Sequence, residues 1–527
     1  MWGVGSYRTA SQSIPSIHDK TEERRKTRVA MWGNSRITWR MKIFDLARTH
    51  GIMKSIGSVI GWEQETYLPP AGAAYRALQL SWITARTHEM MVSEDWRAAL
   101  EEAEAMTMDD DPKASANLRE LRRRFNRAKR LPVELVARAS EATSLAKHAW
   151  ADARKRSDFS TFAPHLRALL DLAREKADLL GYQNEPYDAL LENYERATST
   201  AEVAALFDKL KPELRRIAAA AVEKSASINS RFSTVPYPIE AQQKFNARVA
   251  ASLGFDFSKG RIDTTTHPFC ATLGPADVRI TTRYNQADFT SSLFGVLHET
   301  GHGLYELGLP DADFGLPSGE AASLGIHESQ SRLWENHVGR SDAFWQHWYP
   351  FACECFPQLA GFPLDEFLTH IRRARFSPIR VEADEATYDL HIFLRFDIER
   401  RMLRGELMAD DVPTAWNENC RDFFGFTPPD DRRGCLQDIH WSMGGIGYFA
   451  TYSLGNINAA QLFQSANQDA EVAAGCNNGE YTALLAWMRK NIHAHGATLD
   501  PADLIQQATG TPPSGDAYLA YLSSRYL

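Results

Sequence analysis

Long apolar runs are missing from this sequence. None approaches the roughly 20 consecutive apolar residues that cross a bilayer, and no continuous apolar segment follows the charges near the N-terminus as a secretory signal would require. Neither a spanning helix nor a signal peptide is expected. Cysteine is sparse as well. Six residues stand at 270, 353, 355, 420, 435 and 476, with no CxxC pair among them. That excludes a cysteine-built zinc site and a disulfide framework, and leaves reduced thiols in a cytoplasm as the simplest reading. A large charge excess is also absent. A net charge of -8 and a pI near 6.1 give no footprint for nucleic acid or for an anionic membrane. Repeats and long Gly/Ser- or Pro-rich linkers are missing too, so one large unit over 41–527 is expected. Hydrophobic residues at 44% and charged residues at 24% are ordinary for a globular chain, and 527 residues suffice for a large core.

Residues 1–40 are polar and rich in Arg, Ser and Thr. They read as a disordered extension, a targeting segment or an overcalled start, with Met31 or Met41 as the true one. Asp19, Glu22 and Glu23 weaken the transit-peptide reading.

Helical patterns dominate the rest. Ser199 and Glu202 fit an S-x-x-E capping box. Val203, Leu206, Phe207, Leu210, Leu214 and Ile217 then follow the spacing of one buried helix face, and Pro212 predicts a kink or an interruption there. Similar periodicity runs through about 113–180, with Leu131-Pro132 as a restart. Asp109-Asp110-Asp111-Pro112 reads as a loop, and the basic run from Arg119 to Arg130 as a solvated helix face. Strand signals are few. The best is 278–284, alternating and β-branched, after a turn-like Leu273-Gly274-Pro275.

The chemistry stands at 298–302, His-Glu-Thr-Gly-His. On a helix, positions i and i+4 share a face, so His298 and His302 can hold one metal while Glu299 activates the attacking water. Leu293, Leu304 and Leu307 fall roughly opposite, giving an apolar back, and Gly308 is a natural stop. Two histidines do not complete a catalytic site, which takes three protein ligands. Glu328 is the expected third, returned to the metal by a helix beginning near Ser323. On spacing alone, His327 and Glu320 are rivals.

Further motifs stand in order along the chain: His267-Pro268-Phe269, Asp277-Val278-Arg279-Ile280-Thr281, His327-Glu328-Ser329-Gln330, and Arg332-Leu333-Trp334-Glu335-Asn336. Ile379-Arg380, Ala383-Asp384-Glu385 and Thr387-Tyr388 follow, then His440-Trp441 through Gly447-Tyr448-Phe449. Together with the HExxH these resemble the carboxypeptidase Taq family of metallocarboxypeptidases, over nearly the whole chain after residue 40. Two places depart from the family pattern. Ala450 stands where Pro is common, and Glu192-Asn193-Tyr194-Glu195-Arg196-Ala197 replaces a DxYEPG-like run.

The resemblance implies an almost all-α fold, similar to neurolysin and angiotensin-converting enzyme, with two lobes flanking a cleft and a small β-sheet near the site. It implies zinc, or Co²⁺ or another divalent ion, held by His298, His302 and Glu328, with peptides as substrates and a homodimer as the assembly. Glu299 would be the general base. Tyr388, and after it His440, would donate to the oxyanion. Arg380 would bind the substrate's α-carboxylate with its guanidinium fork. Arg279, held by Asp277, is the other candidate for that role, and His267 would be structural or shape the site beyond the scissile bond. Two alternatives remain: an endopeptidase or dipeptidyl carboxypeptidase of the same chemistry, and an inactive scaffold, against which the intact Glu299 argues.

Overall fold

The computed structural model describes residues 41–106, 110–228, 232 and 235–527. The extension over 1–40 lies outside the described residues, as does Asp109 of the acidic loop. Residues Ile43–Leu527 form one compact unit. It begins with α1 (Lys42–Thr66), α2 (Ala73–Met91), α3 (Glu94–Glu104), α4 (Pro112–Lys129), α5 (Val133–Arg156), α6 (Ala163–Leu180), α7 (Pro186–Leu191), α8 (Thr200–Ser225) and α9 (Ile239–Ser252). Strands β1 (Gly260–Thr264), β2 (Cys270–Gly274) and β3 (Asp277–Thr282) come next. Then follow α10 (Phe289–Glu306), α11 (Leu324–Arg332), α12 (Asp342–Cys355), α13 (Leu364–Ile371), α14 (Tyr388–Leu403) and α15 (Val412–Phe424). The chain closes with α16 (Ala450–Ala466), α17 (Ala470–Asn478), α18 (Thr482–Asn491), α19 (Pro501–Thr509) and α20 (Asp516–Tyr526).

Local signals explain most boundaries. The capping box at the start of α8 is formed in both directions: the Ser199 hydroxyl accepts from Glu202 N–H, and the Glu202 carboxylate accepts from Ser199 N–H. Pro212 does not interrupt this helix. Its buried face, including Val203, Phe207, Leu210, Leu214 and Ile217, outweighs the roughly 3 kcal/mol that an interior proline costs. Pro132 caps α5, and Asp111 accepts from Ala114 N–H at the start of α4.

The sheet is small, in the order β1-β3-β2, with β1 parallel and β2 antiparallel to β3. Arg283 and Tyr284 fall just past β3. Val278 and Ile280 are buried, and α10 packs against β3. Two hydrophobic cores organise the helices. One gathers α5 to α8, α14, α15 and α20. The other gathers α9 to α13 and α17 to α19. Helix α16 serves both: Ile457 and Ala460 face the first, Ala459 and Leu462 the second. Its many small side chains let it run between the two. Among the described residues no helix is long and apolar enough to cross a membrane.

Candidate metal centre

Helix α10 starts at Asp288, whose carboxylate accepts from Thr290 N–H at 2.9 Å. Leu293, Val296, Leu297 and Leu304 are fully buried on its back, each stabilising by roughly 1.5–3 kcal/mol. Leu307 is only partly buried and caps the helix end. Gly308 has no left-handed φ. It is glycine because a Cβ would strike the His493 ring. Helix α11 has Ser323 as N-cap, accepting from Ile326 N–H at 3.0 Å. Buried Glu195 tightens that start: it accepts from the Ser323 hydroxyl at 2.9 Å and from Gly325 N–H at 2.8 Å. Two glycines set how closely the helices approach. A Cβ at Gly301 of α10 would lie 2.5 Å from the Gln330 carbonyl oxygen, and one on Gly455 of α16 would collide with the Glu328 side chain.

This packing gathers His298, His302 and Glu328, with one donor atom from each inside a 4.8 Å cluster. Glu328 Oε2 lies 3.7 Å from His298 Nε2 and 3.5 Å from His302 Nε2. Donors about 2.0–2.1 Å from one tetrahedral ion stand roughly 3.3–3.4 Å apart, so the spacing fits a divalent cation. The other ring nitrogens are engaged. His298 Nδ1 donates to Glu335 Oε2 at 2.9 Å. His302 Nδ1 donates to His327 Nδ1 at 2.6 Å, and His327 Nε2 donates to Glu306 Oε1 at 2.7 Å. That network turns the Nε2 atoms of His298 and His302 toward the cluster. Both His327 nitrogens are thus engaged, and it lies outside the cluster of three candidate ligands. Glu320, the other rival, pairs with Lys54 and Arg124 elsewhere.

Electrostatics divide the site. Burial, helped by the neighbouring cations, pulls His302 down to about 4, so it is neutral. His298 is also penalised by burial, but Glu328 and Glu335 outweigh that and hold it at about 9 without metal. Glu328 is buried, yet Arg332 and the histidines keep it well below the usual carboxylate range. Its Oε1 accepts from Arg332 Nε at 2.7 Å. Glu299 is buried and accepts no hydrogen bond from a described residue, and burial lifts it to about 7.

Comparison with known proteins decides the family. The profile of the carboxypeptidase Taq (M32) metallopeptidases matches residues 42–526. The chain belongs to that family. It is a metallocarboxypeptidase, a metal-dependent hydrolase of C-terminal peptide bonds. It is 40% identical over 500 residues to thermostable carboxypeptidase 1 of Thermus thermophilus, covering 92% of this chain and 97% of that protein. With carboxypeptidase 1 of Bacillus subtilis it shares 34% over 493 residues, 93% and 98% of the two chains. The crystal structure of the M32 carboxypeptidase from Deinococcus radiodurans R1 superposes with a TM-score of 0.89 at 35% identity, covering 92% and 98%.

Around the M32 centre, a second cluster holds further expected residues. The Arg380 guanidinium is buried. Its Nε and Nη2 donate to Asp438 Oδ1 at 3.0 and 2.7 Å, and Nη1 donates to the Tyr388 hydroxyl at 2.8 Å. Because Tyr388 accepts there, its own O–H is left to donate elsewhere. The ring stacks under Arg332, 4.4 Å away, and Arg332 holds Glu328, so this cluster adjoins the metal ligands. His440 Nε2 is 3.4 Å from the Tyr452 hydroxyl. Burial, with Arg380 and Arg395 nearby, lowers its pKa to about 4, which leaves it neutral. Arg279 sits on β3, paired with Asp277 at 2.7 Å and stacked 4.2 Å over Trp62. His267 is exposed in the loop between β1 and β2.

Sequence reasoning missed several supports. Glu306 lies one turn beyond His302, so the i+4 spacing was there to read. Arg332 and Glu335 follow Glu328 by four and seven residues on the same face. Asp438 carried no such signal. It joins Arg380 to Arg395 across 58 and 43 residues of sequence.

Proposed function

We propose that this carboxypeptidase releases single C-terminal residues from peptides with broad specificity, with zinc as its metal, His298, His302 and Glu328 as ligands and Glu299 as general base. A divalent metal bound there supplies Lewis acidity and makes water acidic enough to react near neutral pH. Glu299, raised to about 7 by burial, takes a proton from the attacking water and passes it to the departing amine nitrogen. Tyr388, whose hydrogen is free, donates to the developing oxyanion, and neutral His440 is the second donor. Arg380 meets the substrate's α-carboxylate with the N–H groups that Asp438 and Tyr388 leave open. Arg279 and His267 belong to the outer part of the substrate path. Two imidazoles and a carboxylate accept several divalent ions, so cobalt is a workable substitute. Residues 41–527 act as one domain, in a cytoplasmic homodimer.

The observation that carries this reading is the juxtaposition of a buried, unpartnered Glu299 with three donors at tetrahedral spacing. The test is mass spectrometry of one N-terminally blocked peptide in two forms, free acid and C-terminal amide. Stepwise loss from the free acid alone, stopped by a chelator, is expected. Internal cleavage of both forms would overturn the exopeptidase roles, and no cleavage by metal-loaded protein would overturn the catalytic ones.

A further inference from the structure

A cavity of about 840 Å³ opens between α4, α5, α6 and α7 and the start of α11. Tyr194 lines it and also packs edge-on, at 5.3 Å, against Tyr448, whose hydroxyl lies within reach of the Glu328 charge. Leu324, also in its wall, stands four residues before Glu328 on α11. The cavity therefore adjoins the metal centre.

Its charge is unbalanced. Six cations and three carboxylates line it. The carboxylates are all taken by the same neighbours. Glu320 pairs with Lys54 and Arg124. Glu120 pairs with Arg123, Arg124 and Arg196, and Glu192 with Arg123. Two cations are left over. Among the described residues Arg127 forms no ion pair; it donates to the Ala189 carbonyl and the Asn193 amide oxygen, both at 2.9 Å, with Glu192 acting on it from beyond ion-pair distance. Lys176, from α6, has no hydrogen-bond or ion-pair partner among the described residues. Burial, with Arg127 beside it, pulls its ammonium below the usual lysine range, as expected of a cation lacking a counter-charge. Leu131, Leu135, Leu169 and Leu180 give the wall an apolar part. The basic run on α4 is thus not simply a solvated face: Arg123, Arg124 and Arg127 turn into this cavity.

We infer that the cavity is a subsite for an acidic side chain of the peptide substrate, upstream of the scissile bond, whose carboxylate pairs with Lys176 and Arg127. This rests on the carboxypeptidase reading above. A carboxypeptidase fixes the scissile bond at the metal, one residue before the C-terminus, so the remaining chain must leave along a wall of the cleft. A cavity with two cations outside any ion pair beside that wall favours glutamate and aspartate over lysine at the position that reaches it.

The experiment walks one residue, Glu, Ala or Lys, through successive upstream positions of an N-blocked peptide with a constant C-terminal dipeptide. kcat/KM is read for the metal-loaded enzyme and for its Lys176→Met and Lys176→Glu variants. An N-blocked dipeptide too short to reach the cavity is the control. At one position Glu is expected to exceed Lys by about tenfold, the size of one partly screened ion pair. Lys176→Met should reduce that preference and Lys176→Glu reverse it, with the dipeptide turned over as before. No preference at any position, or a preference indifferent to Lys176, overturns the subsite. Equal slowing of the dipeptide in both variants also overturns it, because the lysine would then act on the fold or the centre. Failure of wild-type enzyme on the dipeptide and on every longer peptide would instead count against the carboxypeptidase roles.

Discussion

At the scale of single residues, the roles proposed for two side chains can be separated. Glu299 lies between the two histidines in sequence, but among the described residues its carboxylate takes part in no hydrogen bond, and burial lifts it to about 7. Glu299→Gln should keep its metal at full stoichiometry and lose about 10²- to 10⁴-fold in kcat, as removal of a general base does. Metal analysis beside steady-state kinetics checks this. Arg380 is different, because Asp438 retains Arg395 when Arg380 is gone. Arg380→Ala should therefore fold and bind metal, while the preference for free-acid over amidated peptides disappears. Unchanged discrimination between the two peptide forms would remove Arg380 from substrate recognition.

At the scale of elements, the site is a matter of how closely three helices approach. Histidines at i and i+4 of α10 define a face, but Glu328 reaches it only because α10 and α11 touch through Gly301 and α11 and α16 through Gly455. The chain continues from α11 into a π-helical stretch, Leu333–Val338, that carries Glu335 to His298. Gly301→Ala places a methyl group against the backbone of Gln330 and Ser331, neither of which can rotate aside. The expected cost is about 1–3 kcal/mol, together with weaker metal binding as Glu328 is displaced. Thermal unfolding and a metal titration read the two effects. Wild-type values in both would show that the helices have room to spare.

At the scale of the molecule, charge clusters tie distant segments together and set the response to acid. Glu120 on α4 meets Arg123, Arg124 and Arg196. Burial opposes its ionisation, but the arginines outweigh that and lower it from 4.5 to about 2. A depressed carboxylate contributes stability that is fully present above its unfolded pKa and is lost as pH falls through the folded one. The unfolding free energy should therefore fall between pH 4.5 and about 2. Glu120→Gln should be less stable at pH 7 but lose less across that window, as denaturant titrations at several pH values would record. Metal should act on the fold as well, since the proposed ligands come from two helices packed within the second core. Chelation should lower Tm, and excess metal at about 100 times Kd should restore about 2.7 kcal/mol. A Tm indifferent to chelator would mean the two helices are positioned without the ion.

The sequence by itself determined the helical class, the capping of α8 and α11, the shared face of the HExxH histidines and the family, because these rest on local spacing and on ordered motifs. The return of Glu328 to the two histidines was legible for the same reason, its helix being announced by Ser323. Tertiary structure decided the rest. It assigned His327 to supporting His302, carried Pro212 through an unbroken helix, and turned part of the α4 basic run inward. It also joined Asp438 to Arg380 and Glu195 to the start of α11. These contacts span tens to hundreds of residues, and no periodicity encodes them. They exist because buried charge must find a partner wherever the packing brings one.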